Sequence, residues 1–355
     1  MFKLKEKNNL GFLWVCISIG IGALVYRGSM ELFGGLLQFP FSMLMLDTTD
    51  TVVINSLNNL LQMSYSVLSF ACASAILVIL LNVGPRSSYQ PMYKGFHAPL
   101  LAPFMIISTV AINFVAAQVN SSLITLLAPD LFNMASSEVA YAQMSVLEMV
   151  LMFISTAILP GILEEFVFRG LMLTNLAPYG RGTAILGSAL LFGLMHMNPQ
   201  QFFYTTMMGI ILGYVYVRTR SIWVCIAIHI LNNGLAVVQE IFFGTMEYAD
   251  ANFASAILTA VVVALGGLSI LILLAVRAAK RKKSPAEIGS FGRICEPSLG
   301  YEEKPVSRQG KIAMFFLPSN ALFTVIVFVS MFTTAGLFLL LGAIYGFIPE
   351  SVMGL

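Results

Sequence analysis

The sequence predicts an all-α fold, a polytopic transmembrane helical bundle of about eight or nine spans. Of the 355 residues, 58% are hydrophobic and only 10% are charged, whereas a soluble domain carries about 25% charged residues. The mean hydropathy is +0.87, and several apolar runs reach the roughly 20 residues that cross a bilayer. Once these runs are removed, no stretch long enough for a soluble domain remains.

Nine apolar segments account for the predicted spans. They are residues 10–26, 60–83, 99–127, 149–175, 183–199, 202–217, 221–243, 253–276 and 319–347. The first is interpreted as an uncleaved anchor, because no small-residue cleavage site follows it at Tyr26. The fifth and sixth are short, so we interpret them as tilted, partly re-entrant or merged spans.

Two segments carry signals for the shape and packing of their helices. In the fourth segment, Pro160 and Gly161 interrupt an apolar run; proline has no backbone donor and is expected to kink the helix, which would make room for water beside it. In the sixth segment, Gly209 and Gly213 follow the small-xxx-small pattern that lets membrane helices approach closely. We expect this pattern to serve packing within the bundle.

The charges support this order of spans. Basic residues collect in cytoplasmic loops, so we place the N-terminus in the cytoplasm and alternate sides at each span. The inside segments then hold Lys3, Lys5, Lys7, Arg86, Lys94, Arg181, Arg218, Arg220, Arg277, Lys280, Arg281, Lys282 and Lys283. The outside loops hold Asp47, Asp50, Asp130, Glu138, Glu247 and Asp250, with Arg27 as the basic exception. This topology predicts an integral membrane protein with its C-terminus outside.

Other polar and reactive residues receive simpler interpretations. The basic run at 280–283 follows a span, so we expect it to contact anionic membrane lipids and no nucleic acid. Glu148 and Glu240 lie near the outer ends of spans and are expected to be solvated. The cysteines show neither disulfide nor zinc-site spacing and are expected to be reduced; they are Cys16, Cys72, Cys225 and Cys295.

Six polar side chains inside the apolar segments are the candidate site. They are Glu164, Glu165, Arg169, His196, His229 and Asn233. Ionisable groups in membrane helices are costly, so they face the bundle interior and mark functional sites. Residues four apart share a helix face, which pairs Glu165 with Arg169 and His229 with Asn233. At 1.5 Å per residue, Glu164 and both histidines lie on the order of 12–20 Å from the cytoplasmic boundary, so spans four, five and seven can meet around one cavity.

These residue types are sufficient to activate water. Glu164 with His196 could hold and deprotonate one water molecule. His229 and Asn233 could donate hydrogen bonds to the oxyanion that forms when water attacks an amide carbonyl. Arg169 would neutralise Glu165, which leaves Glu164 as the available base. Phe192 is expected to pack beside His196 without taking part in the chemistry.

The three motifs resemble those of a known family. Glu-Glu-x-x-x-Arg at 164–169, Phe-x-x-x-His at 192–196 and His-x-x-x-Asn at 229–233 are similar, in this order, to the CPBP intramembrane proteases, which include type II CAAX prenyl endopeptidases and bacterial Abi proteins. The resemblance implies Glu164 as the water-activating glutamate, His196 as its partner, and His229 with Asn233 as oxyanion stabilisers. Glu165 and Arg169 match its supporting positions.

The resemblance also suggests how the chain is divided. We predict N-terminal spans at 1–148, a catalytic core at 149–243, and C-terminal spans at 244–355 with a basic cytoplasmic loop at 277–313. The substrate would be a hydrophobic or lipidated peptide, and the compact loops favour a bacterial plasma membrane. The oligomeric state is left open.

Two questions stay open at the level of the sequence. Glu164, His196 and His229 equal a catalytic zinc site in ligand type and number. No compact metal motif such as His-Glu-x-x-His appears, so we favour no tightly bound metal, with zinc or another divalent metal as the alternative. A non-catalytic immunity or scaffold protein and a proton-coupled transporter are the alternative functions, although no internal repeat of the transporter type is evident.

Overall fold

The structure, a computed structural model, describes residues 7–46, 48–84, 101–127 and 144–283, together with positions 306 and 325. These residues form helices and, in the described ranges, no strand, which confirms the predicted all-α bundle. The helices of the four ranges are α1 (Lys7–Met45), α2 (Thr51–Val83), α3 (Ala102–Leu127), α4 (Val146–Tyr179), α5 (Arg181–Met195), α6 (Pro199–Thr219), α7 (Ile222–Gly244) and α8 (Tyr248–Lys283).

Six of these helices are long and apolar enough to cross a membrane, namely α1, α2, α3, α4, α7 and α8. Together with the family resemblance reported below, they make this an integral membrane protein. Helix α5 has 15 residues, about 22 Å at 1.5 Å per residue, which is shorter than a hydrocarbon core of about 30 Å. This length agrees with the interpretation of the fifth segment as a short or partly re-entrant one. The predicted span at 319–347 lies outside the described residues.

The prediction for the first connection was wrong. Helix α1 continues from its predicted end at residue 26 to Met45. Arg27, which we expected in an outside loop, therefore lies within the helix, where it forms an ion pair with Glu31 one turn later. Residues four apart on a helix stabilise it when their charges are opposite, so this charged pair does not end α1.

The start of α2 also differs from the prediction, which placed it at residue 60. The helix begins at Thr51, because the Asp50 side chain accepts a hydrogen bond from the backbone N–H of Val52 at 2.9 Å. Aspartate is among the residues preferred at this capping position. The hydrophobic run alone therefore underestimated the length of the helix.

Glu148 is buried, contrary to the expectation that it would be solvated. It forms a capping box with Ser145 at the start of α4, and its Oε1 accepts a hydrogen bond from Asn55 Nδ2 at 2.8 Å. The capping box satisfies free N–H groups at the helix end, and the amide from α2 replaces solvent. Glu240 is exposed, as expected.

Helix α4 changes its winding on both sides of the glutamate pair. It is α-helical at Val146–Phe153 and Leu159–Glu165, and π-helical at Ile154–Ile158 and Phe166–Leu173. Isolated π-helical turns are rare and occur frequently at functional sites. The sequence predicted a disturbance at Pro160, but the disturbance takes the form of wider turns flanking the glutamates.

The helices pack in pairs around a core that α4 and α7 share. Helix α1 packs along α2, α5 along α6, and α3 along α8, while α7 contacts α4, α3 and α6. At Gly209, an added Cβ would lie 2.8 Å from Ala189 Cα, so glycine is needed where α6 crosses α5. This contact confirms that the small-residue pattern serves packing within the bundle.

Candidate active site

A buried ionic contact joins α4 to α7. Arg169 Nη1 lies 2.7 Å from Glu165 Oε1, which confirms the pair predicted from their spacing. The same oxygen lies 2.7 Å from His229 Nδ1, and all three side chains are buried. Buried charges require partners, so Arg169 offsets the charge of Glu165. The Glu165–His229 contact was not predicted, because spacing along one helix carries no information about partners on another.

This contact fixes the orientation of His229. A carboxylate oxygen accepts hydrogen bonds, so the imidazole donates from Nδ1 to Glu165. Its other nitrogen, Nε2, lies 3.8 Å from Glu164 Oε2. That oxygen is buried and accepts no hydrogen bond from the residues that the structure describes. At this distance the two atoms form no direct hydrogen bond, but one water molecule beside them could bridge them.

His196 lies at the end of α5, and its ring is also oriented by one hydrogen bond. Nδ1 lies 2.8 Å from the carbonyl oxygen of Phe192, and because a carbonyl only accepts, Nδ1 carries the proton. In the neutral ring, Nε2 is therefore the acceptor. The Phe192 ring packs edge-on against His196 with centroids 5.0 Å apart, which confirms its predicted packing role. It also lies under the Arg169 guanidinium, whose carbon is 4.8 Å from the ring centroid.

Glu164 and His196 line the same cavity, which has a volume of about 290 Å³. Helices α4 and α5 provide part of its wall, namely Ser155, Leu159, Pro160, Leu163, Glu164, Phe168, Phe192, Met195 and His196. Helices α1 and α2 provide the rest, namely Tyr26, Met30, Gln62, Met63, Ser66 and Phe70. The predicted contributions of spans four and five are confirmed. The walls from α1 and α2 were not predicted. Helix α7 contributes none of these lining residues, contrary to the prediction for span seven, although its His229 ring lies beside Glu164.

Asn233 does not line this cavity. Its Nδ2 donates to the backbone carbonyl of Thr156 on α4 at 3.0 Å. The α-helical donor for that carbonyl would be the N–H four residues later, but residue 160 is proline and has none. The amide of Asn233 supplies a donor from another helix and connects α7 to α4. Its predicted role at an oxyanion stays a prediction.

The neighbouring Asn232 is a second polar residue of α7 that the sequence reasoning missed. It is buried, and its Nδ2 donates to the hydroxyl of Tyr204 on α6 at 2.7 Å. Polar side chains in membrane helices commonly form such hydrogen bonds between helices. The signal was present in the sequence as an amide within a span, but the His-x-x-x-Asn motif drew attention to Asn233 alone.

A glycine allows α4 and α7 to approach each other beside the glutamate pair. An added Cβ at Gly161 would lie 2.5 Å from Ile230 Cγ1 and 3.3 Å from the Ile230 backbone nitrogen. Both distances are shorter than an ordinary van der Waals contact. The absence of a side chain at Gly161 thus brings His229 within reach of Glu164 and Glu165.

The candidate metal ligands do not form a metal site in the described part of the chain. No three side chains of His, Cys, Asp or Glu lie there in an arrangement that could hold a metal ion. Glu164, His196 and His229 therefore do not fit a zinc site in this conformation, although their residue types match one. The described cysteines Cys16, Cys72 and Cys225 are free thiols, as expected.

Two comparisons with known proteins confirm the family resemblance. Residues 146–235 match the family described as "Type II CAAX prenyl endopeptidase Rce1-like". A stretch of 109 residues is 33% identical to "Putative membrane peptidase YdiL" of Bacillus subtilis (strain 168). That stretch covers 30% of this chain and 44% of the relative, so the chain spans less than half of the relative's length. No solved structure matches this chain.

Proposed function

We propose that this chain, whose residues 146–235 form a CPBP-type segment, is an intramembrane endopeptidase. It would hydrolyse a peptide bond in a hydrophobic or lipidated peptide. One observation carries the proposal: Glu164 and His196 line one cavity, and His229 Nε2 lies 3.8 Å from Glu164 Oε2. A carboxylate base and two imidazoles thus lie in or beside one cavity within the helices, which offers space for a substrate.

In the first step, Glu164 removes a proton from water as the water oxygen attacks the peptide carbonyl. His196 holds this water by accepting a hydrogen bond at Nε2, since its Nδ1 proton is bonded to the Phe192 carbonyl. General-base catalysis of this kind contributes about 10²–10⁴-fold to a rate. Burial of the neighbouring Glu165 with Arg169 keeps that second carboxylate from competing for the proton.

In the second step, the negative charge on the carbonyl oxygen must be stabilised. His229 does this by donating from Nε2 in its protonated form, while Glu165 holds its Nδ1 proton. Donors already oriented toward a developing oxyanion lower the barrier without further rearrangement. Asn233 would donate to the oxyanion as well only if its amide first released the Thr156 carbonyl. The C–N bond then breaks, and the proton held by Glu164 passes to the leaving nitrogen.

We propose that no tightly bound metal takes part, because Glu164 and the two histidines can hold water and donate protons by themselves. The substrate is proposed to be a short hydrophobic or lipidated peptide, since a cavity of about 290 Å³ is at the small end of ligand sites. The site is proposed to lie in a bacterial plasma membrane, with the N-terminus in the cytoplasm.

The proposal is tested with the purified full chain in lipid nanodiscs. Wild type, Glu164→Gln and His196→Ala are incubated with a farnesylated tetrapeptide tail and with an unmodified hydrophobic peptide, and the products are identified by mass spectrometry. We expect cleavage by wild type, at least about 100-fold slower cleavage by Glu164→Gln, and unchanged wild-type activity in EDTA. Glu31→Gln, which removes an exposed carboxylate, is the matched control and should cleave normally.

Membranes from cells that express wild type or Glu164→Gln provide the natural substrates for the same comparison. Peptides present only with wild type identify the cleaved bond. Equal cleavage by wild type, Glu164→Gln and His196→Ala, with all three proteins folded, would remove the peptidase proposal.

A further inference from the structure

A line of polar side chains follows α2 toward the cavity. Asn55, Asn59, Gln62 and Ser66 lie within an arc of about 60° on this helix, at 100° per residue. The line begins one turn after the start of α2 and ends at two residues of the cavity wall, Gln62 and Ser66. It covers about 16 Å along the helix axis at 1.5 Å per residue, and so leads from the helix end into the apolar zone.

Helix α4 runs beside this line and presents polar groups to it. Asn55 Nδ2 donates to Glu148 Oε1 at 2.8 Å, and Ser155 Oγ lies 3.5 Å from Asn59 Oδ1. Ser155 also lines the cavity, as Glu164 does. From the first contact to the second, the residue number increases on both helices, so α2 and α4 run in the same direction here. We call these polar groups the seam; it leads from Glu148 to the cavity that Glu164 lines.

Next to the seam, one face of α2 presents apolar side chains at the same depths. Leu60 and Val67 are exposed on the surface of the bundle, and each directly follows a polar residue of the seam, Asn59 or Ser66. Polar side chains within a membrane are tolerated where they pack inside the protein or line a space that contains water. Gln62 is exposed and not packed in the core, which favours contact with water.

We propose that the seam between α2 and α4 is a hydrated groove that delivers water from the ends of these helices to Glu164. This inference rests on the proposed function, because each hydrolysed peptide bond consumes one water molecule inside the membrane. Glu164 Oε2 is a suitable end point, since it is buried and accepts no hydrogen bond from the described residues. Bound water requires two to four polar partners, and Ser155, Gln62 and Ser66 provide them along the way.

Hydrogen bonding that only holds α2 against α4 is the competing explanation. It accounts for the Asn55–Glu148 contact and, at its longer distance, for Asn59 with Ser155. It gives no reason for Gln62 and Ser66 to face the cavity. Water access and simple helix contact therefore make opposite predictions for the chemical reactivity of positions 62 and 66.

The test measures the reactivity of single cysteines in the full chain in nanodiscs, where both membrane faces are accessible. Cys72 and Cys295 are replaced by serine, whereas Cys16 and Cys225 are fully buried and are retained. Asn59→Cys and Ser66→Cys probe the seam, and Leu60→Cys and Val67→Cys are matched controls one residue away on the lipid-facing side. A charged, water-soluble methanethiosulfonate is the probe. It reacts with the thiolate, which forms readily only in contact with water.

We expect Ser66→Cys to react at least about tenfold faster than Val67→Cys, and Asn59→Cys faster than Leu60→Cys by a similar factor. Equal, slow reaction within both pairs would overturn the groove. Modified Ser66→Cys should also lose peptidase activity that modified Val67→Cys retains. The labelling rates do not depend on catalysis, so a reactive seam in a protein that cleaves nothing would contradict the proposed function and leave the groove in place.

Discussion

Asn233 has two possible roles, and the structure allows them to be separated at the level of single residues. Its amide donates to the Thr156 carbonyl, whose α-helical donor position is occupied by Pro160. In Pro160→Ala the backbone N–H at position 160 is restored and offers Thr156 an α-helical donor in place of Asn233. We therefore expect Asn233→Leu alone to lower the free energy of unfolding by about 1–3 kcal/mol, because no water replaces the lost donor within a membrane.

The double variant Pro160→Ala/Asn233→Leu should recover most of this stability, as measured by thermal unfolding in detergent. Its peptidase activity then separates the two roles. If Asn233 only connects α7 to α4, activity returns with stability, whereas a donor to the oxyanion is still missing in the double variant. Recovered stability with activity still reduced by about 100-fold would assign Asn233 to the oxyanion. A double variant that remains as unstable as Asn233→Leu would contradict the role assigned to the Thr156 contact.

The Glu165–Arg169 pair should be a major determinant of stability. Both side chains are buried, and Glu165 also accepts a hydrogen bond from His229. Removing one member of a buried pair leaves an uncompensated charge, so we expect Arg169→Met to destabilise the protein by about 3–5 kcal/mol. The measurement is the shift of the unfolding transition in detergent.

Arg27 and Glu31 offer a control with the same four-residue spacing on a helix, but with both side chains partly exposed. Arg27→Met should cost less than about 1 kcal/mol. The double variant Glu165→Gln/Arg169→Met should be more stable than Arg169→Met, because no unpaired buried charge remains. Similar losses for Arg27→Met and Arg169→Met would show that burial of the charge is not the source of the effect.

At the scale of helices, the close approach of α4 and α7 sets the distance between Glu164 and His229. A methyl group at Gly161 would press against Ile230, including its backbone nitrogen. We expect Gly161→Ala to move the helices apart and to lower kcat/KM by about 10–100-fold, since displacements of about 1 Å near a reacting group can have effects of that size. The measurement is cleavage of the peptide identified as a substrate.

Gly182, in the first turn of α5, is the matched control, because nothing lies within 4 Å of a Cβ added there. Gly182→Ala should leave activity unchanged and keep or slightly raise stability, since alanine favours a helix more than glycine does. Ile230→Ala in the Gly161→Ala background should restore part of the activity, because it removes the Cγ1 atom that the new methyl group would meet. Full activity of Gly161→Ala would mean that this contact does not control the site.

Sequence patterns predicted some features of these helices correctly and missed others. Hydrophobic runs located the helix centres, and four-residue spacing identified the Glu165–Arg169 pair. The same patterns missed the extension of α1 to Met45, because charged residues one turn apart can continue a helix as well as interrupt it. They also missed the π-helical turns in α4. Such turns depend on which side chains of α7 and α5 pack against α4, and one segment of sequence does not contain that information.

At the scale of the whole molecule, the order of helices fixes which ends share a membrane face. The α5–α6 pair returns to the side on which it starts, whether it crosses the membrane fully or in part. With a cytoplasmic N-terminus, the end of α8 at residue 283 should therefore be cytoplasmic, and the α7–α8 turn at Met246 should be outside. The basic residues near 280–283 agree with this orientation.

Reporter fusions test this orientation. Green fluorescent protein fused after residue 283 should fluoresce, and alkaline phosphatase fused there should be inactive in a bacterial host. After Met246 the two reporters should give the opposite result. The same reporter result at both positions would contradict a crossing by α8, whose length and composition are sufficient for one.

The cavity wall from α1 and α2 has a consequence for how specificity can change. Every group assigned to bond breaking lies within residues 146–235, whereas Met30, Met63 and Phe70 lie outside that segment and line the same space. The reacting groups and six of the fifteen residues that line the cavity are thus encoded in separate parts of the chain. Exchanging the first two helices between relatives could therefore direct such a protein to a new peptide while Glu164, His196 and His229 stay as they are.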